Sequence, residues 1–149
     1  MSTSAVLAAV KSRLPVRTVE IEERSPSRVY VYVAPEGIVQ ASRFMFEQCH
    51  ARLATVSGID MRSGVELLYH WFCTDDHQFI TIKTKVKKPF PKIDSIATFL
   101  PAANWIEREI YDLLGVVFTG HPDPRRLILA DGWPEGVRPL AREYEGFKE

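Results

Sequence analysis

The stretch NWIEREIYDLLGVVFTGHPDPRRLIL, from Asn104 to Leu129, gathers most of the side chains that could do chemistry. Glu107 and Glu109 could serve as an acid/base pair if burial raised their pKa values. On a helix, however, positions two apart diverge by about 160 degrees, so the two carboxylates do not converge on one substrate atom. His121, Asp123, Arg125 and Arg126 set a titrating ring beside two guanidiniums, a composition suited to proton transfer or to phosphate. No Ser, Cys or Lys nucleophile and no glycine-rich cradle accompanies them. Pro122 and Pro124 fix φ, so the HPDPRR segment is a rigid fork, fitted to carboxylates such as Glu109 and Asp112 or to acidic groups on another chain. Ion pairing within the fold or at an interface is therefore preferred to catalysis.

Other candidates have simpler readings. His70 and Cys73 lie three apart in a strand and point to opposite faces, and Cys49 and His50 lack further ligands, so metal binding is not expected. Lys83, Lys85 and Lys87 line one strand face beside Lys88; such a row could track a phosphate backbone, but protection of an edge strand is the preferred account. Trp105 falls on the polar side of its helix and Trp133 in a Gly-Trp-Pro turn, where each serves equally well as an interface anchor or as the filling of a local pocket.

The elements that position these residues follow from pattern. Asn104 with Glu107 three residues on is a capping box, and Gly115 is a stop, giving a helix of about three turns. Its buried stripe is Ile106, Ile110, Leu113 and Leu114; Arg108 and Asp112 face away as an i,i+4 pair, Glu109 sits at one margin, and Glu107 lies at the other near Tyr111. Upstream, Ser4 caps a short helix with Leu7, Val10 and Leu14 on one side, ended by Pro15. Val19 and Ile21 begin a hairpin whose second strand buries Val29, Val31 and Val33 opposite Tyr30 and Tyr32. A helix is expected from Gly37 to Ala51 with Val39, Phe46, Cys49 and Leu53 on its stripe, followed by three meandering antiparallel strands within 53–86. The proline-rich 89–105 stretch then predicts a second helix near the end of the fold, capped by Asp94 or Ser95. Beyond Gly115 the chain reads as ordered loop and arm, with Leu127 to Leu129 as its apolar anchor.

Bulk properties are compatible. A 149-residue chain that is 46% hydrophobic supports one domain with a core. Its 19 basic and 19 acidic residues produce no net field toward nucleic acid or an anionic membrane. Two distant cysteines argue against a disulfide framework or a thiolate-held cluster and fit a reducing compartment, and no run approaches a membrane span.

Glu107, Arg108, Glu109, Asp112, Gly115, Phe118, His121, Pro122, Asp123, Arg125 and Arg126, in this order and spacing, resemble the signature of the thirty-kilodalton subunit family of respiratory complex I. The resemblance covers nearly the whole chain. It implies an α+β fold, mostly antiparallel sheet packed with helices, spanning 1–120, with an extended partner-binding arm at 121–149. It implies a subunit without cofactors of its own, packed at the cytoplasmic side of the membrane against a large catalytic subunit and iron-sulfur subunits that carry a nickel-iron centre and clusters, or FMN and quinone. For Glu107, Arg108, Glu109, His121, Arg125 and Arg126 the implied role is assembly, and Trp105, Asp112, Asp123, Trp133, Arg138 and Arg142 join them as expected interface residues. The short sequence after Arg142 and the arm WPEGVRPLAREY are similar to energy-converting, membrane-bound nickel-iron hydrogenases, including formate hydrogenlyase-like assemblies. Ala141 departs from an arginine common there. NADH-quinone oxidoreductase is the alternative parent; a free-standing small enzyme or a nucleic-acid module are the remote ones. The arm, with few apolar anchors, is expected to be poorly ordered alone and to lie extended over the large subunit.

Overall fold

The structure is a computed structural model that describes residues 4–146; the final residues of the expected arm, 147–149, lie outside them. Its centre is a five-stranded sheet in the order β1-β2-β5-β4-β3, formed by β1 (Thr18–Ser25), β2 (Arg28–Val33), β3 (Arg52–Met61), β4 (Gly64–Cys73) and β5 (Gln78–Lys87). The hairpin and the three-stranded meander are as the alternation predicts, with antiparallel pairing throughout each. The two units join through a parallel β2–β5 ladder in which Val29 meets Ile80 and Val31 meets Ile82. Helices complete an α+β fold: α1 (Ala5–Arg13), α2 (Ile38–Arg43) and α3 (Asn104–Leu114).

That parallel joint corrects the lysine reading. β5 is the central strand, so Lys83, Lys85 and Lys87 protect no edge. Edge strand β1 is instead blunted by register shifts near both ends and by Glu20, Glu22 and Glu23.

One sheet face is packed. Val29, Val31, Val65, Leu67, Tyr69, Trp71, Ile80 and Ile82 are essentially inaccessible there and form one core with Leu7 and Val10 of α1, Ile38 and Ala41 of α2, and Ile110 and Leu114 of α3. Ser4 caps α1 as expected, its Oγ accepting the Leu7 N–H at 2.9 Å. The second helix departs from expectation. After Arg43 the chain widens into a π turn at Phe44–Gln48, where the Cys49 N–H donates to the Phe44 carbonyl five residues back. The wider turn rotates the buried side onto Phe44 and Met45 and leaves Phe46 exposed, so the stripe through Phe46 does not form.

The helix expected after Pro89 is also absent. Lys92–Asp94 forms β6, parallel to β7 (Val117–Thr119), and only a 3-10 turn at Pro101–Ala103 precedes α3. Three prolines remove donors that a helix would need, and Ser95 turns its hydroxyl to the Ala97 N–H and to Glu107.

Gly64, opposite Lys87, sits where a Cβ would lie 2.3 Å from the Val86 carbonyl oxygen. A backbone atom cannot yield as a side chain can. Gly64→Ala should therefore lower the urea midpoint by the equivalent of about 1–3 kcal/mol; an unchanged midpoint would show that the β4–β5 approach is looser than described.

Candidate interaction site

Helix α3 follows directly from the 3-10 turn, with Ala103 at its N-cap and no side-chain cap. The expected Asn104–Glu107 capping box is not made, because Glu107 is directed elsewhere. Its carboxylate is fully buried, accepting from Ser95 Oγ at 2.5 Å and the Ile96 N–H at 2.8 Å. It therefore joins α3 to the segment before it. Burial pushes the Glu107 carboxyl up to about 7, against the opposing pull of those hydrogen bonds.

His121 closes the other side. Its Nε2 donates to the Asn104 carbonyl at 3.0 Å, its Nδ1 accepts the Asp123 N–H at 2.9 Å, and Nε2 lies 3.7 Å from Glu107 Oε2. Those two hydrogen bonds assign each ring nitrogen a role, Nε2 as donor and Nδ1 as acceptor.

The Arg108–Asp112 pair is a further correction. Both side chains reach over to the arm rather than to each other. Arg108 donates to the carbonyls of Arg125 at 2.8 Å and Arg126 at 3.0 Å. Asp112, fully buried, accepts the N–H groups of Leu127, Ile128 and Leu129 on one oxygen at 2.9, 2.8 and 3.2 Å. A cation thus takes the carbonyls of the segment and an anion the amides that follow, so each charge complements the backbone dipoles it meets. The anchor of 127–129 is this clamp more than its apolar side chains, since Leu127 and Leu129 are half-buried and Ile128 is exposed.

The remaining expected residues distribute along the same seam. Arg125 does not grip Glu109 or Asp112; it pairs bidentately with Asp123 at 2.7 and 2.8 Å, and that guanidinium holds the Asp123 carboxyl down to about 2. Glu109 is half-buried and makes no ion pair among the described residues. Arg126 donates to the carbonyls of Ala130 and Trp133, at 3.1 and 2.6 Å, shaping the turn between them. Trp133 donates from Nε1 to the Val137 carbonyl, its ring 6.3 Å from that of Tyr144, so of its two readings the local pocket is met. Arg138 donates to the Tyr111 carbonyl at 2.8 Å and lies over the Tyr111 ring, satisfying the end of α3 beside Gly115, whose φ of 80° makes the left-handed stop. Arg142 contributes its backbone N–H, to Asp60 at 2.7 Å. Trp105 remains 70% exposed.

The described part of the arm, 121–146, has no helix or strand and is held against α3 and the sheet edge by hydrogen bonds within the chain. Lys88 bridges Asp60 and Glu143 at its far end, at 2.5 and 3.2 Å. Sequence reasoning missed Asp60 and Glu143, which carry no spacing signal, placed Lys88 only beside the lysine row, and saw Ser95 only as a cap. A cleft of about 320 Å³ lies beside the seam, lined by Glu107, Arg108, Tyr111, Phe118, His121 and Pro124 among others. Among the described residues no group of His, Cys, Asp and Glu could hold a metal ion, and no helix is long and apolar enough to cross a membrane.

Residues 31–149 match the family described as respiratory-chain NADH dehydrogenase, 30 Kd subunit. The chain belongs to this family. Its relatives are subunits of complex I-related enzymes: it is 29% identical to a subunit of the F420H2 dehydrogenase of Methanosarcina mazei over 99% of this chain and 94% of that one. It is also 31% identical to the hydrogenase-4 component G of Escherichia coli, over 97% of this chain but 27% of that longer protein. A chain from the membrane-bound sulfane sulfur reductase, an archaeal respiratory membrane complex, shares the fold, with a TM-score of 0.82 at 21% identity over 94% of this chain and 83% of that one.

Two outcomes follow for the isolated chain. Asp112→Ala strands three amides and should cost about 3 kcal/mol, opening 121–146 to limited proteolysis while the sheet stays resistant; an arm cut no faster than in the wild type would remove Asp112 as its anchor. Glu107 stays protonated in the folded chain at pH values where the unfolded chain has ionised, so its contribution is fully present below about 4.5 and is lost as pH rises through about 7. Wild-type stability relative to Glu107→Gln should therefore fall across that window by up to about 3 kcal/mol, measured by urea titration at several pH values; a constant difference would contradict the burial of an ionisable group.

Proposed function

We propose that this chain is a non-catalytic, cofactor-free subunit of the peripheral arm of an energy-converting, membrane-bound nickel-iron hydrogenase of the formate hydrogenlyase-like kind. It packs against the large catalytic subunit and iron-sulfur subunits at the cytoplasmic side of the membrane and supports electron transfer and coupled ion translocation by the whole. The nickel-iron centre and clusters reside on those neighbours. The observation that carries this reading is how α3 uses its charges: Glu107, Arg108 and Asp112 are committed to backbone and hydroxyl partners within the chain. Groups so committed shape a surface and are not poised to act on a substrate. Around the seam Trp105, Ile128 and Leu140 stay exposed, a composition suited to burial against another protein.

Similarity to hydrogenase-4 component G across nearly the whole chain supports the hydrogenase parent. The family description supports the second reading, the thirty-kilodalton subunit of NADH-quinone oxidoreductase, with FMN and quinone on the partners. Isolation of the tagged chain from native membranes, with its neighbours identified by mass spectrometry and electron transfer assayed from hydrogen and from NADH, separates them. A nickel-containing large subunit and hydrogen-dependent dye reduction are expected. NADH-dependent activity would favour the second reading, and turnover by the chain alone would overturn both.

A further inference from the structure

The sheet has a second face, opposite the one that α1, α2 and α3 cover. Strand alternation places Tyr30, Tyr32, Phe72, Phe79, His70 and Lys83 on it, and all are half-buried although no helix among the described residues packs there. The face is cationic in a chain of zero net charge. Arg24, Arg28, Arg52, Lys83, Lys85 and Lys87 stand against Glu20, Glu22 and Glu66. Lys83 is neutralised by Glu66 at 3.1 Å and Arg24 by Glu22 at 2.8 Å, but Arg28, Lys85 and Lys87 make no ion pair among the described residues. At the β3 edge Ile59 and Met61 are 49% and 37% exposed, bringing apolar surface to the rim of the charge.

We propose that this open face of the sheet is a second docking surface, occupied by an acidic face of a neighbouring protein subunit, separate from the α3–arm seam. This rests on the reading of the chain as a subunit of a larger complex. Charge complementarity selects the occupant: unpaired cations beside half-buried aromatic and aliphatic groups match carboxylates set around an apolar patch. Single-stranded nucleic acid fits less well, because the stacking surfaces are already taken. Lys83 Nζ lies 4.6 Å from the Tyr32 ring centre, Arg24 lies 5.5 Å from that of Tyr30, and Arg52 lies 5.8 Å from that of Phe72.

The test compares amine acetylation of Lys85 and Lys87, read by peptide mass spectrometry, in the purified intact complex and in the isolated full-length chain. Several-fold slower labelling in the complex, together with carbodiimide cross-links from either lysine to Asp or Glu of another subunit, is expected. The double variant Lys85→Glu, Lys87→Glu should dissociate from the complex at lower salt while the melting temperature of the isolated chain is unchanged. Equal labelling in a complex that demonstrably contains the chain would overturn this proposal and leave the subunit assignment standing. Protection of the isolated chain by anionic-lipid vesicles or by a single-stranded oligonucleotide, without cross-links to protein, would overturn it in favour of those occupants.

Discussion

A single carboxylate oxygen of Asp112, out of reach of solvent, takes three successive backbone amides from a segment that has no helix or strand to satisfy them. Irregular chain can pack closely against a folded domain only if its polar backbone groups find partners. Here α3 supplies them from side chains spaced one turn apart, Arg108 for carbonyls and Asp112 for amides. Later contacts extend from this clamp. Arg126 shapes the turn to Trp133, Arg138 returns to close the C-terminal end of α3, and Lys88 with Asp60 holds the far end at the sheet.

The same helix is fixed from its other side by Glu107, whose carboxyl holds Ser95 and the Ile96 amide where a hydroxyl or an amide oxygen would ordinarily cap. Placing an ionisable group there costs desolvation, which is visible in its raised pKa. In return α3 is locked to the segment that leads into it and, through His121, to the segment that follows β7. Two of the three carboxylates of α3, Glu107 and Asp112, are thus committed to internal joints, while Glu109 makes no ion pair among the described residues. The outer surface is left to Trp105, Ile128 and Arg125, which meet solvent in the free chain.

Much of this was legible in the sequence where one rule governed. Alternation in RVYVYV and QFITIKTKVK located strands and their buried sides, and Ser4 and Gly115 marked helix ends. What failed was local logic overridden by tertiary partners. Asn104 and Glu107 have capping-box spacing, but Ser95 claims the carboxylate; Arg108 and Asp112 have ion-pair spacing, but orphan backbone groups at 125–129 claim both. The π turn after Arg43 shifts a face by one residue, which no periodicity announces. The central place of β5 depends on a parallel joint between distant segments, so its lysines were misread as edge protection. The partners expected for these charges within the chain were not legible, because residue type shows capacity for a bond and only the fold supplies the other end.

Most depends on whether the arm is held by hydrogen bonds within the chain itself. Amide hydrogen exchange of Leu127, Ile128 and Leu129, measured by NMR on the isolated chain at neutral pH, reads those bonds one by one. Protection comparable to that of the α3 amides is the predicted result. Exchange of all three at the rate of an unstructured peptide would mean that Asp112 does not hold the arm, and the clamp on which the rest is built would not exist.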